Sequence, residues 1–246
     1  MKMKHTVLIG LALIAASIIG MASSAANSTP KLVTYTTTPM PMQGYLCKPS
    51  GRGPFPLVVY YHGGMGNIVG GAPKETCEAL ARGGYVGLAP LRRQTLSMRG
   101  HINDVLVGKQ YGQNLPYVDR RRVALIGFSR GGLLTLMAAT IRDDLRALVV
   151  MVPAMGGRRQ MDRVMGRLEN INAPVLLLVA KNDTGSKRTR GQNMLVGSRR
   201  LSKALKAAER NVRFIEYPPY NSDGHTMFFG VGKYWQDVLT FLRKHV

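Results

Sequence analysis

Acidic side chains are scarce in this chain: 13 Asp and Glu stand against 34 Lys and Arg among 246 residues, a formal net charge of +21. Charged residues of both signs nevertheless make up only 19% and hydrophobic ones 45%, a balance that excludes a globally disordered polyelectrolyte and allows a sizeable core. Cysteine is nearly absent, with Cys47 and Cys77 alone, and no histidine pair lies at a spacing that would complete a structural zinc site with them. Aromatics are missing from the basic stretches "RRQTLSMR", "GSKRTRG" and "SRRLSKALKAAER", which weighs against a specific nucleic-acid surface. After the N-terminal residues no apolar run approaches the roughly 20 residues of a membrane span, so the mature chain is expected to lack a transmembrane segment. Pro/Ser-rich linkers, repeats and low-complexity tracts are missing too, which favours one domain.

What the chain does have begins with a leader. A short basic start, "MKMKH", precedes an apolar run from Val7 to Met21 and the small residues "ASSAAN". This is the order of a secretory signal peptide, with Ser24 and Ala26 at the small-residue positions and cleavage expected after Ala26. The expected organisation is therefore a signal peptide over 1–26 and a single domain over 27–246, exported to the periplasm or beyond. Loss of Lys2 and Lys4 with the leader lowers the charge only from +21 to +19. Such a charge suits an acidic substrate, or weak association with anionic envelope polymers, as well as it suits plain solubility. In an oxidising compartment Cys47 and Cys77 can form a disulfide, but their spacing does not decide between a bridge and two buried thiols.

Two β-rich segments, "KLVTYTTT" and "MQGYLCKP", read as an antiparallel hairpin at a sheet edge. Short apolar strands follow, "FPLVVYYHGG", "YVGLAP", "VALIGF", "ALVVMVP", "PVLLLVAKND" and "VRFIEYPP". Helical stretches separate them, including "APKETCEALARGG", Met98 to Asn114, "GGLLTLMAATIRDD", Arg158 to Asn170 and "NMLVGSRRLSKALKAAER", and a last helix is expected from about Gly230 to Lys244. This alternation predicts an α/β fold, a mainly parallel central sheet with helices on both faces. Ligands then collect beyond the carboxyl ends of the strands.

Four of those strand ends carry chemistry. Gly127-Phe128-Ser129-Arg130-Gly131 matches G-x-S-x-G where a strand meets a helix start, a place where glycines permit a bend sharp enough to project a serine hydroxyl. The competing interpretation is a packing turn with Ser129 as helix N-cap. A nucleophilic serine needs a base and an acid to orient it. Of five histidines, His225 in "YPPYNSDGHTMFFG" alone follows the serine on a loop after the last strand, whereas His5 falls in the leader, His62 and His101 precede the serine and His245 adjoins the terminus. Asp183, directly after "PVLLLVAKN", is the foremost acid; Asp223 and Glu216 are alternatives, and Asp162 falls in a helical stretch. The turn "YYHGGMG" is expected to supply an oxyanion donor from the backbone amide of Met65 or Gly64, beside the amide of Arg130. His62 is expected to buttress that turn.

With "YYHGGMG", "GFSRGG", "LVAKNDTGS" and "YPPYNSDGHTMF" in this order, the chain from about Thr34 onward resembles the α/β-hydrolase fold, and within it the dienelactone hydrolase branch with its prolyl-oligopeptidase-like relatives. It differs in carrying Ser129 where dienelactone hydrolases proper carry cysteine. The stretch Pro153 to Pro174 is too short for a large lid domain. The resemblance implies a secreted serine hydrolase of small-molecule carboxylic esters, working through an acyl-enzyme with a Ser129–His225–Asp183 triad and needing no metal or organic cofactor. Alternatives are a serine peptidase of the prolyl-oligopeptidase-like type and a non-catalytic polyanion-binding protein on the same fold. Arg130, Arg92 and Arg93 are candidates for holding an acidic acyl group, or for a solvated rim.

Overall fold

The computed structural model describes residues 29–36, 40–64, 68–93, 98–157 and 159–246. The expected leader lies outside the described residues. Among the described residues one eight-stranded sheet runs in the order β1-β2-β4-β3-β5-β6-β7-β8, formed by β1 (Lys31–Thr36), β2 (Met42–Cys47), β3 (Phe55–Tyr61), β4 (Val86–Leu91), β5 (Val118–Phe128), β6 (Ala147–Met151), β7 (Val175–Ala180) and β8 (Val212–Tyr217). The hairpin β1–β2 is antiparallel and joins the sheet antiparallel to β4, at one edge; every pairing from β4 to β8 is parallel. The chain belongs to the α/β class, as the alternating sequence pattern implies, and its strand order is that of the α/β-hydrolase fold it resembles.

The parallel strands are apolar without interruption because both faces are covered. Side chains alternate between two cores with the period of two that a pleated strand imposes. Val58, Tyr60, Ile126, Val149 and Leu178 meet helices α1 (Pro73–Arg82) and α6 (Trp235–His245). Leu57, Val59, Leu125, Val150 and Leu177 meet α2 (Met98–Gln113), α3 (Arg130–Ala139) and α5 (Met194–Ala207) on the other face. Each of the Val, Leu and Ile side chains among these contributes about 1.5–3 kcal/mol of transfer free energy. No helix among the described residues is long and apolar enough to cross a membrane.

Three boundaries differ from the sequence reading. β5 begins at Val118, earlier than the apolar run, because Asp119 to Arg122 continue the strand past the covered part of the sheet and point charge outward. The helix expected over 158–170 shrinks to α4 (Gln160–Met165), stopped by Gly166, with a single 3-10 turn at Leu168–Asn170. The last helix starts at Trp235, five residues later than expected. Among the described residues the connection between β6 and β7 therefore holds only α4 and that turn, with no large lid.

Cys47, the last residue of β2, is bonded to Cys77 of α1 in a disulfide with Cα atoms 5.5 Å apart. It ties the edge hairpin to the helix packed beside it. The strand order runs outward from β3 in both directions, to β4 on one side and β5 on the other, so the carboxyl ends of β3 and β5 flank a topological switch point. The register places Tyr61 of β3 beside Gly127 of β5, which brings the turn after β3 next to the bend after β5.

Candidate active site

Ser129 is the single residue between β5 and α3, and it holds φ +52° and ψ −114°, a sparsely populated conformation for a residue with a side chain. Such a backbone costs of the order of 1–3 kcal/mol and persists only when its surroundings hold it. Here the Ser129 amide donates to the Met151 carbonyl (2.9 Å), and its carbonyl accepts from Leu133 (3.1 Å) and Ala154 (2.9 Å). The flanking glycines answer a steric demand: a Cβ on Gly131 would overlap the Tyr61 carbonyl, and one on Gly127 the Gly131 carbonyl. The Ser129 side chain makes no cap bond to α3, so the N-cap interpretation fails and the hydroxyl faces a cleft instead.

His225 Nδ1 lies 2.8 Å from Asp183 Oδ2, with both side chains almost fully buried. Asp183 sits three residues past β7, its amide donating to Ala180 (3.0 Å). His225 sits in a 3-10 turn, Gly224–Phe228, capped by Asp223, whose Oδ1 accepts the His225 amide at 3.0 Å. Gly224 lets this turn approach: a Cβ there would stand 2.7 Å from the Asp183 nitrogen. Asn182 fastens the same loop, donating from Nδ2 to the carbonyls of Tyr220 (3.1 Å) and Asn221 (3.0 Å) and accepting the Tyr220 amide at Oδ1 (2.8 Å). Sequence reasoning missed Asn182; its only signal is an amide side chain directly before the acid at a strand end. The imidazole also rests against Phe128, ring centroids 4.9 Å apart.

The other acids are committed elsewhere. Glu216 forms a two-point pair with Arg199 at 2.7 Å, Asp162 pairs with Arg200, and Asp223 caps the histidine turn while lying 3.5 Å from Arg188. Asp183 is the carboxylate that reaches the imidazole of His225.

At the end of β3 the chain folds back in a two-way bridge between Gly63 and Gly70 (2.8 and 3.2 Å), with Gly64 at φ +84°. His62 is buried beneath it. Its Nε2 accepts the Arg92 amide (3.0 Å), which leaves Nδ1 as the protonated nitrogen, donating to the Gly63 carbonyl at 2.6 Å. Burial, reinforced by the Arg92 guanidinium, lowers the His62 pKa from 6.5 to about 4, so it stays neutral as a structural support. Arg92 reaches across the turn to the carbonyls of His62 (3.0 Å), Gly63 (3.2 Å) and Gly64 (2.5 Å). Arg93 is gripped by both oxygens of buried Asp104. The expectation that Arg92 and Arg93 could bind an acidic acyl group is thereby corrected: one guanidinium is spent on turn carbonyls and the other on a carboxylate. Met65 lies outside the described residues. Gly64 lines the cleft with Ser129. The Arg130 amide is the first of α3, where N–H groups have no intrahelical acceptor and the helix dipole is positive.

The cleft has a volume of about 900 Å³. Ser129, His225, Gly64 and Arg130 share it with Ile68, Phe229 and a cationic segment after β7. A hydroxyl at a strained bend and an imidazole fixed by a buried carboxylate line one crevice, side-chain types that can carry out acyl transfer.

The family model for the dienelactone hydrolase family matches residues 94–228, 135 of the 246 positions. The chain belongs to the dienelactone hydrolase family. No curated protein matches the chain. Among solved structures, this dienelactone hydrolase family member is similar to a putative dienelactone hydrolase from Klebsiella pneumoniae (19% identity, 88% of this chain and 98% of that one, TM-score 0.66). It is also similar to an esterase from Pyrobaculum calidifontis (17% identity, 89% and 87%, TM-score 0.66). Porphyromonas gingivalis dipeptidyl peptidase 4 is similar over 89% of this chain at 16% identity and TM-score 0.70, but the chain spans only 36% of that peptidase's length. At these identities the likenesses establish the shared fold. Membership of the dienelactone hydrolase family makes the chain a hydrolase.

Proposed function

We propose that the chain is an exported serine hydrolase of carboxylic esters. The observation that carries this is the buried 2.8 Å contact between His225 and Asp183 in the same cleft as Ser129, whose hydroxyl is left free of helix capping. His225 Nε2 takes the Ser129 proton as Oγ attacks the ester carbonyl, and Asp183 holds the imidazole tautomer and steadies the cation that forms. The tetrahedral oxyanion is met by the amides of Arg130 and of the turn at Gly64 and Met65, each such donor worth about 10²- to 10³-fold in rate. Collapse releases the alcohol, which receives its proton from His225. Water then repeats the sequence on the acyl-enzyme, with the same histidine as base.

Export is supported by the signal-peptide order of residues 1–26 and by the Cys47–Cys77 disulfide, which suits an oxidising compartment. In such a compartment the excess of basic residues would also favour weak contact with anionic envelope polymers.

A fluorophosphonate probe tests the nucleophile. Mapping by mass spectrometry is expected to place the label on Ser129 and to find none in Ser129→Ala. Label on another serine of the native protein would remove the assignment. Hydrolysis of short 4-nitrophenyl esters is expected to exceed that of matched aminoacyl anilides, and the reverse preference would favour the peptidase alternative.

A further inference from the structure

Exposed apolar side chains are unevenly distributed over the surface. Of nine large ones exposed among the described residues, six stand at the end of the molecule where the parallel strands finish: Met40, Ile68, Val69, Val196, Tyr220 and Phe229. Met40 leads into β2, whose start lies beside the end of β4. Ile68 and Val69 precede Gly70, whose bridge to Gly63 closes the turn after β3. Val196 is in the first turn of α5, and Tyr220 and Phe229 follow β8. Single exposed apolar residues are ordinary on any surface, but a concentration at one end marks a contact face.

Cations stand among these apolar tips. Lys181, Lys187 and Arg190, on the segment between β7 and α5, are exposed and form no ion pair or side-chain hydrogen bond among the described residues. The acids at this end are occupied: Asp162, Glu216, Asp223 and Asp237 each pair with an arginine, and Glu75 accepts the Val231 amide. The Arg188 guanidinium lies over the Phe229 ring, 5.9 Å from its centroid, so charge and apolar surface are interleaved side chain by side chain. The segments that carry them are already braced. Thr189 bonds to both the amide (2.9 Å) and the carbonyl (3.2 Å) of Ser186, and Asn182 fastens the loop at Tyr220. Contact through this face therefore costs little further ordering of the backbone.

We infer that this end of the molecule docks peripherally on an anionic lipid bilayer, with Ile68, Val69, Val196 and Phe229 reaching the acyl boundary and Lys181, Lys187 and Arg190 meeting headgroup phosphates. A protein partner fits this face less well, because the buried centre of a protein interface is depleted of charge and here the cations stand among the apolar tips. No helix among the described residues is long and apolar enough to span, so attachment is through these surface contacts. Docked in this way, the cleft opens onto the headgroup layer. The inference concerns attachment and does not depend on Ser129 being a nucleophile.

Sedimentation with sucrose-loaded vesicles tests it, comparing phosphatidylglycerol mixed into phosphatidylcholine with phosphatidylcholine alone. At low salt the native protein is expected to partition to the anionic vesicles at least about tenfold more strongly. Raising NaCl to about 1 M should remove most of that preference, since screening then acts within roughly 3 Å. Lys181→Gln/Lys187→Gln/Arg190→Gln should weaken partition about a hundredfold, near fivefold per cation. Arg52→Gln/Arg121→Gln/Arg142→Gln removes equal charge from exposed positions at the opposite end of the strands and should weaken it less than about threefold. Val69→Ser/Val196→Ser should weaken it about tenfold, and Leu32→Ser/Ile141→Ser, exposed away from this face, should leave it unchanged. Equal binding to both kinds of vesicle, or equal losses from the two sets of cation substitutions, overturns the inference. So does a dimer in sedimentation equilibrium that Val69→Ser/Val196→Ser dissociates, because a second copy of the chain would then cover the face. Ser129→Ala is expected to bind vesicles as the native protein does. Absent ester hydrolysis with vesicle binding intact would strike the hydrolase reading and leave this inference standing.

Discussion

Protonation of His62 should unfasten the turn that faces the serine, and its effect can be worked from the structure. In the fold His62 is buried, accepts the Arg92 amide at Nε2 and lies beside the Arg92 guanidinium, so its pKa falls from 6.5 to about 4. In the unfolded chain the imidazole regains the ordinary value near 6.5. Between those two values the unfolded state binds the proton that the folded state refuses, so stability rises with pH across this window. The contribution is whole above about pH 6.5, declines as pH falls and is gone by about pH 4; the full change is about 3 kcal/mol. Urea unfolding at pH 7 and at pH 4.5, on the native protein and on His62→Gln, isolates this group from the carboxylates that titrate nearby. Gln retains an acceptor for the Arg92 amide but takes up no proton. The native protein is expected to lose about 2–3 kcal/mol more than the variant over that interval. Parallel pH profiles for the two proteins would refute the reasoning, because they would mean that His62 is not held neutral by its surroundings.

The acid's role should appear in Asp183→Asn, where loss of the charge that fixes His225 is expected to lower kcat on the order of 10³- to 10⁴-fold with little change in KM. A loss under tenfold would transfer the orienting role to another group. The Cys47–Cys77 bridge closes a sequence separation of 30 residues, so Cys47→Ser/Cys77→Ser should lower the unfolding free energy by about 3–4 kcal/mol in denaturant titrations. Equal midpoints for native and doubly substituted protein would contradict it. Gly131→Ala drives a methyl into the Tyr61 carbonyl of β3, and thermal unfolding should show more than about 3 kcal/mol of destabilisation along with lost hydrolase activity. An unchanged melting temperature would mean that the bend relaxes at no cost.

Much of the architecture is readable in the chain because the physics behind it is local. Uninterrupted apolar runs such as "VLLLVA" mark strands covered on both sides, and the spacing between them leaves room for one helix each. The elbow is legible for the same reason, since Gly127 and Gly131 flank Ser129 within five residues and their steric duty follows from the bend itself. Boundaries were harder to read wherever solvent takes over from the core. Asp119 to Arg122 extend β5 without any apolar signal, and Gly166 cuts short a helix that composition alone would carry to Asn170.

The chain by itself determined the class of fold, the order of strand ends and the residue types capable of acyl-transfer chemistry, since each depends on near neighbours along the backbone. Only the tertiary structure decided which carboxylate serves His225, because Asp183, Glu216 and Asp223 differ less in sequence context than in what they touch. It likewise decided that Cys47 meets Cys77, that Arg92 and Arg93 are consumed as supports, and that Arg130 and Arg190 face the cleft unpaired. Pairings of this kind join residues tens of positions apart, and their selection depends on distance and burial, quantities that exist only once the sheet has brought its carboxyl ends together.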